Sequence, residues 1–174
     1  MTQQCKDIEE MLSHHIEREL KKPFPIIKIK CRKGGGNKDL AYIDARDVMD
    51  RLDAIFGIAG WQVSYEFIGS RMMCSLTCRI GEEWITKCDG ADDTQIESEN
   101  GGISSALKRS AVLWGIGRYL YHPKAFDKDK KPALWATPEG YDALLEERAK
   151  ASVTKLHTTE KIDASKKESN EKES

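Results

Sequence analysis

Apolar residues recur at helical spacing through the segment 103–121, where Ile103, Leu107, Ala111 and Trp114 fall on one side, so the pattern predicts a long helix. Before it the period changes from helical to alternating. Trp61, Val63, Tyr65 and Phe67 alternate with Gln62, Ser64 and Glu66; Met72, Cys74, Leu76, Cys78 and Ile80 alternate with Met73, Ser75, Thr77 and Arg79. A Gly81-Glu82 turn then leads into Trp84–Cys88, which completes an antiparallel meander with one apolar and one polar face. Further upstream, Ile27, Ile29 and Cys31 alternate with Lys28, Lys30 and Arg32, the signature of another strand. Asp44 is placed to cap a helix that runs to Phe56, with Val48, Leu52, Ile55 and Phe56 as its stripe and Gly57 as its stop. At the ends, Ile8, Met11, Leu12, His15, Ile16 and Leu20 mark an amphipathic helix over 6–20, and Thr137-Pro138-Glu139 opens a last helix to about Lys150.

These elements predict an α+β fold: a three- to four-stranded antiparallel β-meander covered by a long helix, with flanking N- and C-terminal helices. The chain of 174 residues suits one domain. The expected division is an N-terminal helix over 1–25, a core over 26–122, a basic loop and helix over 123–152, and a charged tail over 153–174. The tail has too few apolar residues to offset the entropy of ordering.

The net charge is only −1, but position changes that picture. From 21 to 38 stand Lys21, Lys22, Lys28, Lys30, Arg32, Lys33 and Lys38 without an acid, whereas 82–99 holds Glu82, Glu83, Asp89, Asp92, Asp93, Glu97 and Glu99 against Lys87 alone. One surface should attract polyanions and another repel them. Five cysteines in no Cys-x-x-Cys pair suit a reducing compartment, and the start of the chain shows no apolar signal core, so the expected location is the cytoplasm. Cys74 and Cys78 lie about 13 Å apart along a strand, too far to share one tetrahedral metal ion.

Three groups of residues are candidates for anion binding. On a regular strand Lys28, Lys30 and Arg32 would point one way about 6.7 Å apart, either as a phosphate track or as a solvated edge. Gly34-Gly35-Gly36, flanked by Lys33 and Lys38, would let backbone amides approach an anion or would simply form a flexible hairpin; it lacks the spacing of a phosphate-binding P-loop. Lys108 and Arg109 follow Ser104 and Ser105 by one helical turn, a polar patch suited to phosphate and sugar oxygens, or a solvated helix face. Gly115 and Gly117 would each cost about 1 kcal/mol inside a helix, which calls for close packing, against Trp61 or a second subunit. Asp89, Asp92, Asp93 and Glu97 offer magnesium ligands for a nuclease, or merely charges at a helix start. No serine–histidine–aspartate or cysteine–histidine arrangement presents itself.

The order and wording of Asp44-Ala45-Arg46-Asp47-Val48, Asp50-Arg51-Leu52, Ala106-Leu107-Lys108-Arg109 and Gly115-Ile116-Gly117-Arg118-Tyr119-Leu120-Tyr121 resemble the Rad-fifty-two-type single-strand annealing proteins, which include compact phage annealing proteins and the bacterial DNA-damage-response protein A group. The resemblance covers roughly residues 26–122. It implies a ring-forming, non-enzymatic protein of DNA recombination and repair that binds single-stranded DNA in a groove lined by Lys108 and Arg109. Lys28, Lys30, Arg32, Lys33, Lys38, Arg46, Ser104 and Arg118 are the further DNA-binding candidates. The implied partners are single-stranded DNA and further copies of the chain, with no cofactor, metal, membrane or small-molecule substrate. A 3′-end-protecting binder and a metal-dependent nuclease are the alternatives. Three positions depart from the family habit: Asn100 and Val112 stand where relatives commonly carry a basic residue, and Ser105 where an acidic one is common. The groove would then hold fewer charges, with Arg118 or Lys38 compensating or affinity reduced.

Overall fold

The computed structural model describes residues 3–34, 39–92 and 100–152. Its elements in chain order are helix α1 (Gln3–Lys21), strands β1 (Lys30–Lys33) and β2 (Asp39–Tyr42), helix α2 (Ala45–Phe56), strands β3 (Trp61–Ile68), β4 (Arg71–Ile80) and β5 (Glu83–Asp92), helix α3 (Asn100–Trp114) and helix α4 (138–152). Two antiparallel sheets result, the hairpin β1-β2 and the meander β3-β4-β5. The arrangement is α+β, as the alternation of the sequence leads one to expect.

The core lies between the meander and α3. Cys74, Leu76 and Cys78 on β4 are fully buried against Leu107 and Ala111, because alternation along β4 sends every second side chain toward the helix. Ile103 does not join them; it is 40% exposed, and Ala106 fills the buried position instead. Polar side chains of α3 fasten the layers. Ser110 donates to the Cys74 carbonyl at 2.6 Å and accepts the Asp89 amide at 3.0 Å, and Trp114 Nε1 donates to the Leu76 carbonyl at 3.3 Å. Each adds a hydrogen bond between α3 and the backbone of the sheet.

Helix α2 begins at Asp44, whose amide donates to Asp47 at 3.2 Å, and stops at Gly57, which adopts a φ of 70°. Its Arg51 is half-buried and donates to the carbonyls of Glu19 and Lys22 at 2.7 and 2.8 Å while stacking over Phe24, which ties α1 to α2. Burial lowers the Arg51 pKa. Only the C-terminal half of α1 packs: Ile16 and Leu20 are in the core, but Ile8, Met11 and Leu12 of the expected stripe are exposed. Helix α4 is clipped to α1 by Asp142, which accepts from Arg18 at 2.8 Å and Lys22 at 2.6 Å.

Two expectations are corrected here. Residues Ile26–Lys28 form a 3-10 turn on Pro25 rather than the start of a strand, so Lys28 leaves the line of Lys30 and Arg32. Proline fixes its own φ and here nucleates the turn, with the Lys28 amide bonded to the Pro25 carbonyl at 2.9 Å. The long helix also ends early, at Trp114. Gly115 and Gly117 take φ values of 104° and 68°, positions that break the helix, and Arg118–Tyr121 continues as a 3-10 turn. The glycines pack against Lys21 and Ile43, not Trp61. The expected tail, 153–174, lies outside the described residues.

Candidate nucleic-acid interface

The break after Trp114 folds the chain back so that Leu120 and Tyr121 face the β1-β2 hairpin across the flank of α3. Between them lies a cavity of about 310 Å³ whose walls include Arg32 and Tyr42 from the hairpin and Ser105, Lys108, Arg109 and Val112 from α3. Residues 105, 108, 109 and 112 recur at three- and four-residue spacing, which is why one side of α3 can line one groove. Lys108 Nζ stands 5.3 Å from the centre of the Tyr42 ring. Arg109 reaches Asp89 on β5, with both Nε and Nη2 at 3.3 Å. Three cations from two distant segments thus converge on one concave, half-polar surface.

The other expected cations are distributed differently. Lys28 pairs with Asp47 at 2.8 Å, Lys30 with Asp44 at 2.5 Å, and Lys33 with Asp39 at 3.0 Å. Arg46 is exposed at the start of α2, and Ser104 is half-buried; neither lines the cavity, whereas Ser105 does. Arg118 donates to the carbonyls of Val112 and Leu113 at 2.9 and 2.8 Å. It closes the C-terminal end of α3, where a cation also meets the negative end of the helix dipole, and it is not among the residues that line the cavity. Lys38, Gly35 and Gly36 lie outside the described residues. Of the acidic set offered for magnesium, Asp89 is engaged by Arg109, while Asp93 and Glu97 lie outside the described residues.

The carboxylates are what the charge count along the chain missed. Hydrogen bonding from Lys30, reinforced by the charges of Lys108 and Arg46, holds the Asp44 carboxyl below the usual carboxylate range. Lys33 does the same for Asp39, with Lys130 adding to it. The hairpin register, which sets Lys33 opposite Asp39, is the one local signal that would have revealed such a pair. The aromatic lining, Tyr42 and Tyr121, was also missed; tyrosines next to a cation-rich segment are the cue.

The comparisons decide what kind of protein carries this groove. Residues 13–134 match the profile of the Rad52/22 family double-strand break repair protein. The chain belongs to that family. The match begins within α1 and ends beyond the expected core, in the loop after Tyr121. Two similar proteins, both named single-stranded DNA-binding protein DdrA, come from Deinococcus deserti (32% identical over 143 residues, 71% of each chain) and Deinococcus radiodurans (31% over 128 residues, 69% of this chain and 59% of the relative). Among the described residues no helix is long and apolar enough to cross a membrane, and no three His, Cys, Asp or Glu side chains gather at a metal-binding distance.

Proposed function

We propose that this protein binds single-stranded DNA in the groove between the β1-β2 hairpin and α3 and promotes the annealing of complementary strands in recombination and repair, by binding alone and without catalysis. The observation that carries the reading is the convergence of Arg32, Lys108 and Arg109 on a cavity that also holds Tyr42. Cations neutralise phosphates regardless of base sequence, and an annealing protein must accept any sequence. Membership of a double-strand break repair family and the names of the two relatives support it.

Assembly of several copies into a ring belongs to the same proposal. A groove with so few cations grips weakly alone, and linked subunits raise the effective concentration of each next contact. The exposed Ile8, Met11 and Leu12 on α1, together with the outer strands β3 and β5 of the meander, are apolar and hydrogen-bonding surfaces suited to a neighbouring copy.

The test is the double substitution Lys108→Ala with Arg109→Ala, read by fluorescence anisotropy with a labelled oligothymidylate across a salt series. Reduced affinity with an unchanged melting curve is expected, since both side chains are partly exposed and outside the core. Wild-type affinity in a folded double variant would remove the groove from the account. A strand-annealing assay with complementary oligonucleotides then separates annealing from end protection.

A further inference from the structure

The groove does not end at Tyr121. A second cavity of about 700 Å³ adjoins the first and shares Arg32, Tyr42 and Tyr121 with it, then continues along the loop that contains Lys128 and Lys130. This loop is held in a defined shape. Asp127 accepts the amides of Asp129 and Lys131 at 2.9 and 2.8 Å, and His122 stacks edge-on against Trp135 at 5.0 Å.

Two observations point to what the second cavity takes. Lys33 from the hairpin and Lys130 from the loop, far apart in the chain, reach the same carboxylate, Asp39, at 3.0 and 3.4 Å; Asp39 and Lys130 line the cavity, and Lys33 stands beside them. Two cations from separate elements that hold one carboxylate between them can hold a phosphate oxygen in the same way, and Asp39 occupies that place as an internal anion. Tyr121, where the cavities meet, is 73% exposed, an unusual state for a tyrosine that lines a groove. A flat apolar ring with cations on either side is the arrangement on which a nucleic-acid base stacks.

We propose that the larger cavity is a second subsite for the same DNA strand: a backbone phosphate displaces the Asp39 carboxylate between Lys33 and Lys130, and a base stacks on Tyr121. The subsite rests on the groove reading above and extends it past the hairpin. Asp39 then acts as a placeholder, keeping the two lysines together when the strand is absent and competing with it when it arrives.

The experiment compares three folded variants with wild type, using a labelled oligothymidylate over a salt series. Lys130→Asn suits the left-handed backbone at this position, where φ is 62°. It should make the slope of log affinity against log salt shallower by up to about 0.7, the single-strand value for one lost phosphate contact. Tyr121→Ala should weaken binding roughly 5- to 100-fold at unchanged slope, with Tyr121→Phe restoring it, as stacking without charge requires. Asp39→Asn, which removes the competing charge, should tighten binding. The subsite is overturned if Lys130→Asn and Tyr121→Ala bind as wild type while the Lys108→Ala, Arg109→Ala variant loses DNA; the groove would then stand without its extension. Equal or weaker binding by folded Asp39→Asn would overturn the placeholder role. Should the Lys108, Arg109 variant also bind normally, the groove reading itself fails.

Discussion

The meander under α3 and the β1-β2 hairpin are both antiparallel sheets, yet they are built on opposite terms. Along β4, Cys74, Leu76 and Cys78 are fully buried, and burial pushes the Cys78 thiol, and Tyr65 opposite Cys74 on β3, up to about 12. All four residues of β1 are exposed, and two of its side chains end in ion pairs with nearby carboxylates. The first sheet is held by apolar area removed from water, the second by its register and by charges that solvent screens. The groove lies where the two meet. Core and groove wall therefore separate by residue, α3 presenting Leu107 and Ala111 to one and Lys108 and Arg109 to the other.

The strongest challenge to that division is Leu107→Ala. Removing a fully buried leucine from the centre of the α3 contact should cost about 2–5 kcal/mol, measured as a loss of unfolding free energy in urea. DNA affinity of the remaining folded protein should change little. A loss under 1 kcal/mol would mean that the core is not centred on α3.

Next in size is Ser110→Ala. Its hydroxyl is fully buried and serves both the Cys74 carbonyl and the Asp89 amide, so the change removes two hydrogen bonds between α3 and the sheet. A cost of about 1–3 kcal/mol is expected. Because Asp89 also receives Arg109, a secondary weakening of DNA binding would show that the two regions are coupled through β5.

Within the hairpin region the comparison becomes finer. Arg32 lines both cavities, whereas Lys28 sits in the 3-10 turn against Asp47. Replacing Arg32 by alanine should reduce the salt slope by up to about 0.7, and replacing Lys28 should reduce it less. Equal effects would restore the uniform phosphate track that alternation in the sequence suggested.

That track shows why part of the site was illegible. Leu107-Lys108-Arg109 could be read because helical periodicity assigns each residue a direction without knowledge of the rest of the fold. Val48, Leu52 and Gly57 on α2, and the alternation of β3 and β4, were legible for the same reason. Ile27-Lys28-Ile29 alternates just as well, but Pro25 and the carboxylate of Asp47 draw it into a turn, and the pairing with Asp47 is tertiary. The early end of α3 is encoded by Gly115 and Gly117, but a glycine within an apolar helical stretch signals either tight packing or a left-handed break, and only the backbone distinguishes them. The placing of Tyr42 and Tyr121 on one cavity and the meeting of Lys33 with Lys130 at Asp39 depend on long-range folding.

The smallest effect tests the wall shared by core and groove. Val112 is half-buried on α3, one turn after Lys108, and lines the smaller cavity at a position where the annealing proteins this sequence resembles commonly carry a basic residue. Its apolar side chain leaves a gap beside Lys108 and Arg109, and Arg118 donates to the carbonyls at the helix end. Val112→Arg extends the row by one turn along the same face. The long aliphatic stem can lie along the groove wall while the guanidinium reaches solvent, so the melting temperature should move only slightly. One added phosphate contact should steepen the salt slope by up to about 0.7 and raise affinity most at low salt, where counterion release contributes most. Anisotropy titrations of wild type and variant at several salt concentrations measure both quantities. Unchanged slope in a folded Val112→Arg protein would mean that the strand does not pass this turn of α3, and the groove would have to run from Lys108 toward Asn100 instead.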